Sequence, residues 1–167
     1  MIAVSNASPL ITLARVRCLE FLPRLFDSVL ISSEVHEEVV VHGAGLPGAK
    51  EVENSPWIQV RAVPEDRWKV AGTTSSALGV GEISAVLLAK ESNASVVLMD
   101  EIKGRRYAGV HGVPVTGSIG LLEEFHRRGW VPELRDVYLE LLAQRIRLDR
   151  EVLGASLARN GFPPLAV

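Results

Sequence analysis

Short β-branched runs and stretches of helical periodicity alternate along this chain. Ile2–Ser5, Ser28–Ser32 and residues 95–99 read as buried strands, 57–63 as an extended run and 113–116 as a last strand. Helical stretches lie between them. Leu10, Leu13 and Ala14, then Leu19, Leu22 and Leu25, supply apolar faces; Ser8 is predicted to cap a helix starting at Pro9, and Pro23 marks a kink or restart. Ser33 is placed to cap a helix over 34–41, and a short polar helix is expected over 49–54. Residues 64–78, with Thr73-Thr74-Ser75-Ser76, read as a mobile polar connection. Ile83, Val86 and Leu87 give one inward face to a helix over 82–91, which Gly79-Val80-Gly81 opens as a flexible start. Further helices are expected over Ile102–Val110 and 117–128, and residues 132–160 read as two amphipathic helices divided near 146–149. This alternation predicts an α/β sandwich with a mostly parallel central sheet and right-handed crossovers.

In such a sheet the strand carboxyl ends and the helix starts that follow share one edge, where ligands bind. Asn6 and Asp100 stand at strand exits, Glu82 in a helix's first turn and Glu38 on the helix after the second strand, so the four can converge there. Three carboxylates packed together raise one another's proton affinity unless a cation neutralises them. An all-oxygen set suits Mg²⁺ or Mn²⁺, and the chemistry it supports is phosphodiester hydrolysis with one or two metals. Arg105 or Arg106 is then placed to hold a phosphate oxygen, and Ser8, Thr116 or Ser118 to bind phosphate or support a ligand. Each residue also has an ordinary role open to it. Glu82 can complement the helix macrodipole, Asp100 can cap a helix beginning near Glu101, and Glu38 can share a solvated face with Glu34 and Glu37. Arg105 and Arg106 can equally lie on a solvated helix face.

Composition narrows the partners. A chain of 167 residues with 47% hydrophobic side chains and a mean hydropathy of +0.20 buries a core without disulfides or structural metal. Aromatics are only 5%, so a nucleic acid would be held through its backbone rather than by base stacking. Residues 1–100 hold 8 Lys/Arg against 12 Asp/Glu and residues 101–167 hold 10 against 8. That balance excludes a tight electrostatic DNA binder and leaves a local basic strip of Lys103, Arg105 and Arg106, with Arg127 and Arg128 as further candidates. Cys18, the single cysteine, reads as an inert core residue and fits a reducing cytoplasm. No apolar stretch reaches the roughly 18 residues of a membrane span, and no basic leader opens the chain, so a soluble cytoplasmic protein is expected. His36 and His42 are six apart, which misses the zinc-helix spacing.

Five segments, taken in order, carry a family resemblance. They are Val4-Ser5-Asn6-Ala7-Ser8-Pro9-Leu10-Ile11, Ile31-Ser32-Ser33-Glu34-Val35-His36-Glu37-Glu38-Val39, Leu78-Gly79-Val80-Gly81-Glu82-Ile83-Ser84-Ala85, Leu98-Met99-Asp100-Glu101 with Gly104-Arg105-Arg106-Tyr107-Ala108, and Val115-Thr116-Gly117-Ser118-Ile119-Gly120-Leu121-Leu122. Together they resemble the PIN-domain superfamily, especially its bacterial and archaeal branch of predicted nucleases related to the ribonuclease toxins of toxin–antitoxin pairs. The resemblance implies a three-layer α/β/α fold, with residues 1–130 as the PIN-like domain and 131–167 as a helical extension packed on it. It implies Mg²⁺- or Mn²⁺-dependent cleavage of single-stranded RNA, with acidic ligands carried onto Glu38, Glu82 and Asp100 and with Glu101 as an adjacent candidate. At Asn6 the superfamily usually has Asp; the amide oxygen still ligates a hard cation but brings no charge, which weakens metal binding. The implied partners are RNA, an antitoxin protein and a second copy in a homodimer. The competing reading is a catalytically weakened domain that binds RNA or a protein, in which the 132–160 helices can form the contact surface.

Overall fold

The β-branched runs pair side by side, and each has apolar residues on both pleat faces. The computed structural model describes residues 1–71 and 78–166 and divides into two compact units, Met1–Gly117 and Ser118–Val167. In the first unit the described residues form five parallel strands: β1 (Ile2–Ser5), β2 (Ser28–Ser32), β3 (Ile58–Arg61), β4 (Val96–Leu98) and β5 (Val115–Thr116). Their spatial order is β3-β2-β1-β4-β5. The chain steps outward one way from β1 and the other way from β4, so the topological switch point lies between these two neighbours. Helices α1 (Ala7–Arg15), α2 (Leu22–Leu25), α3 (Ser33–His36), α4 (Ala49–Glu53), α5 (Glu65–Ala71), α6 (Val80–Glu91) and α7 (Ile102–Val110) make the crossovers.

Both faces of the sheet are covered, which gives the three-layer α/β/α arrangement expected. On one face Val4, Leu30, Val97 and Met99 pack with Ile83 and Val86 of α6 and with Tyr107 and Ala108 of α7. On the opposite pleat Ala3, Val29, Ile31 and Leu98 are equally buried. Strands buried on two sides have no room for polar alternation, which is why these runs are continuous in Val, Leu and Ile. Cys18 is buried as expected, its thiol 3.3 Å from the Val16 carbonyl oxygen.

Several helix starts differ from the sequence expectation, for reasons of local geometry. Helix α1 begins at Ala7 with Asn6 in the cap position, two residues before the predicted start at Pro9. Pro9 is tolerated because the first turn's N–H groups have no helical acceptor. Ser32, rather than Ser33, caps α3, its hydroxyl accepting from the Val35 N–H at 3.1 Å. The predicted 34–41 helix is α-helical only to His36 and continues as a wider π turn over Glu37–Val41. Helix α6 starts at Val80, and the segment expected to be a polar connection holds α5. Thr73 to Ser76, within that expected connection, lie outside the described residues. Gly48 takes φ 100°, a conformation suited to glycine, and its N–H donates to Glu51 at 2.9 Å to start α4.

The second unit contains α8 (Ser118–Arg127), α9 (Leu134–Ala143) and α10 (Arg150–Arg159), with the division between the last two where the periodicity placed it. Tyr138 of α9 and Ser156 of α10 share a buried hydrogen bond of 2.6 Å, and burial pushes the Tyr138 phenol up to about 12. Arg159 donates to Glu123 of α8 at 2.7 Å. Replacing Ser156 by Ala strands the Tyr138 hydroxyl in the core. Denaturant unfolding of Ser156→Ala is expected to show a loss of about 1–2 kcal/mol with an unchanged m-value.

Candidate metal and nucleic-acid site

The sheet topology sets the exits of β1 and β4 side by side. Asn6 follows β1 and its backbone N–H donates to the Leu98 carbonyl of β4 at 2.9 Å, so the exits toward Asn6 and Asp100 are tied across the switch point. Asn6 is 4% exposed. Asparagine in the cap position ordinarily spends its side chain on the helix N–H groups. Here it makes no such bond, and its Oδ1 points elsewhere.

Gly81, in the first turn of α6, shows where. A side chain begun at Gly81 would place its first carbon 3.1 Å from Asn6 Oδ1 and 2.9 Å from Glu38 Oε2. The amide oxygen and the carboxylate therefore both lie against the same glycine, brought there from the end of β1 and from the π turn. Gly81 is buried and packed, which corrects its reading as a flexible helix start. Glu82 lies one residue on, its carboxylate folded back over Gly79 and its Cγ 3.1 Å from the corresponding point on Gly104 of α7. It thus sits at the helix start, where the macrodipole favours it, and between two helices as well.

Asp100 is not the cap of α7; Glu101 takes that position, without a side-chain cap bond. Asp100 Oδ1 and Arg105 Nη1 each lie 2.8 Å from the point where a side chain on Gly117 would start, and Arg105 Nη1 also donates to the Met99 carbonyl at 3.3 Å. Arg105 and Arg106 are exposed on α7, while Ser8 and Thr116 are half-buried at the ends of elements that open on this edge. Ser118 is the first residue of α8, in the second unit. Arg127 and Arg128, the further basic candidates, both pair with Glu124, at 2.6 and 2.7 Å.

The charges feel one another. Glu38 has a raised proton affinity, first because burial disfavours its charged form and then because Glu82 and Glu101 lie near. Its residue is nonetheless open to solvent at the outer side, which screens the effect. Among the described residues no three His, Cys, Asp or Glu side chains close into a ready cage for an ion. The donor set remains one of hard oxygens around a buried amide, which fits Mg²⁺ or Mn²⁺ and not a thiophilic metal. Beyond the predicted groups, the signal missed in the sequence was the glycines at 81, 104 and 117, where a Cβ would intrude on site residues or their neighbours.

A parallel α/β/α domain with oxygen donors at its switch point defines the class. The chain belongs to the PIN-domain family DUF3368, which matches residues 2–161. PIN domains are generally nucleases and typically depend on a divalent metal. Among solved structures, the chain is similar to a PilT N-terminus domain protein from the hyperthermophilic archaeon Sulfolobus solfataricus P2, at 17% identity and a TM-score of 0.45, over 71% of this chain and 87% of that one. No curated protein matches the chain. Among the described residues no helix is long and apolar enough to cross a membrane.

A carboxyl group with raised proton affinity in the fold favours folding below its ordinary value of 4.5, and that contribution is lost as pH rises through its folded value. At pH 7 without divalent cations the Glu38 charge therefore opposes folding. Glu38→Gln is expected to raise the thermal midpoint at pH 7 in chelator and to lose that advantage below pH 4.5, as read by differential scanning calorimetry. An equal midpoint at pH 7 counts against the raised proton affinity of Glu38.

Proposed function

We propose that the protein is a metal-dependent endoribonuclease that hydrolyses phosphodiester bonds in single-stranded RNA, using Mg²⁺ or Mn²⁺. The observation that carries this reading is the meeting of Asn6 Oδ1 and Glu38 Oε2 over Gly81, with Glu82 and Glu101 close enough to raise the proton affinity of Glu38. Asn6, Glu38, Glu82 and Asp100 would hold the ion. When bound, such an ion polarises the phosphate and lowers the pKa of water. The chain's own groups then have separate tasks. Arg105, anchored by the Met99 carbonyl, presents the rest of its guanidinium to a phosphate oxygen, and Arg106 extends the same positive surface. Ser8 and Thr116 offer hydroxyls at the same sheet edge. With few aromatics in the chain, backbone phosphates rather than bases are the handle, so sequence preference in the RNA should be weak. A toxin role, with an antitoxin protein and a second copy as partners, is part of the same proposal.

Two observations favour a second reading, a weakened domain that binds RNA without cutting it. Asn6 brings no charge, and among the described residues no trio of charged donors closes up. Cleavage of a labelled single-stranded RNA with Mn²⁺, beside calorimetric Mn²⁺ titration, separates the two. Glu82→Ala and Asp100→Ala are each expected to lower kcat/KM by about 100-fold or more, and Asn6→Asp to tighten Mn²⁺ binding by about tenfold. Cleavage that survives both alanine variants would overturn the site. RNA binding without Mn²⁺ uptake or cleavage would establish the second reading.

A further inference from the structure

A pair of hydroxyls with no solvent exposure lies behind the point where Glu38 and Glu82 approach. Ser32 Oγ and Ser84 Oγ are 2.6 Å apart, joining the end of β2 to the second turn of α6. Ser84 Oγ donates to the Gly81 carbonyl at 3.0 Å, and the Val35 N–H donates to Ser32 Oγ at 3.1 Å. A hydroxyl carries one proton. Because the Ser84 proton is given to Gly81, the proton shared between the two hydroxyls must come from Ser32. The three bonds therefore run one way, from Val35 N–H through Ser32 and Ser84 to the carbonyl of Gly81.

Both ends of this chain bear on the site. Val35 and Ser32 start α3, which leads through the π turn to Glu38, and Gly81 is the residue over which Glu38 Oε2 and Asn6 Oδ1 meet. Glu82 is the next residue along. Buried chains of this kind polarise each bond in turn and tolerate no missing member, because each loss strands another polar group. We propose that Ser32 and Ser84 are positioning residues, whose directional hydrogen bonds set the separation between the Glu38-bearing and Glu82-bearing elements. The proposal rests on the metal-dependent reading of the site for its functional consequence. The bond chain itself does not depend on that reading.

The test compares Ser84→Ala, Ser32→Ala and Ser84→Thr with Ser156→Ala, which breaks a buried hydroxyl pair in the second unit. Mn²⁺ affinity is measured by calorimetry and the thermal midpoint by scanning calorimetry. Ser84→Ala and Ser32→Ala are expected to weaken Mn²⁺ binding by about tenfold, the usual scale for a support behind a ligand. Threonine at 84 keeps a hydroxyl able to reach the carbonyl one turn back and should restore affinity to within about twofold. Ser156→Ala should lower the midpoint and leave affinity unchanged. A folded Ser84→Ala protein that binds Mn²⁺ as tightly as the parent overturns the proposal; should that variant not fold, Ser84→Cys carries the same expectations. If the parent takes up no Mn²⁺, the functional reading fails and amide exchange decides the remainder. Faster exchange of the Val35 amide in Ser84→Ala, by about tenfold, then supports the directional chain, and unchanged exchange refutes it.

Discussion

Like charges gathered at one edge of a parallel sheet repel, and the first unit is built to hold them there. The topology leaves little choice about place. Parallel strands all point their carboxyl ends the same way, and the reversal of strand order between β1 and β4 opens a crevice at that edge. What opposes the repulsion is the core beneath, where Val4, Val97 and Met99 are wholly buried, together with the bond from the Asn6 N–H to Leu98. The raised proton affinity of Glu38 records first its burial and then the nearness of Glu82 and Glu101.

Backbone closeness does the rest. Gly81 lets α6 come near enough for Glu38 and Asn6 to meet over it, and Gly104 lets α7 lie against Met99 and the Glu82 stem. A methyl group at either place would meet these atoms at or inside contact distance. The closest approaches at this edge are thus made by main chain at the two glycines.

Much of this was legible from residue order because it depends on local rules. Strands such as Ile2–Ser5 and Ser28–Ser32 were read with their observed bounds, since runs buried on both faces must be continuous and apolar. Helix starts were read less well. Three near the site were displaced, because Pro9, Ser33 and Glu82 each suit an early helical position and only neighbours in space decide which residue takes it. The π turn at Glu37–Val41 has no mark in the sequence, and neither does the use of Ser32 and Ser84, two ordinary polar residues that gain meaning only when β2 and α6 are brought together. For Asp100 the capping alternative was real until Glu101 proved to hold that position.

At position 6 the resemblance to PIN domains leads one to expect a carboxylate, and the chain carries an amide. The surroundings bear on that difference. Asn6 is 4% exposed, deep enough that a carboxylate there would suffer strong desolvation as well as repulsion from Glu38. An amide has the same shape and keeps the oxygen, so it can face Glu38 without either penalty. Glu101 meanwhile adds a charge at the solvent side, close enough to influence Glu38. An uncharged amide at position 6 thus spares the fold a second buried charge beside Glu38.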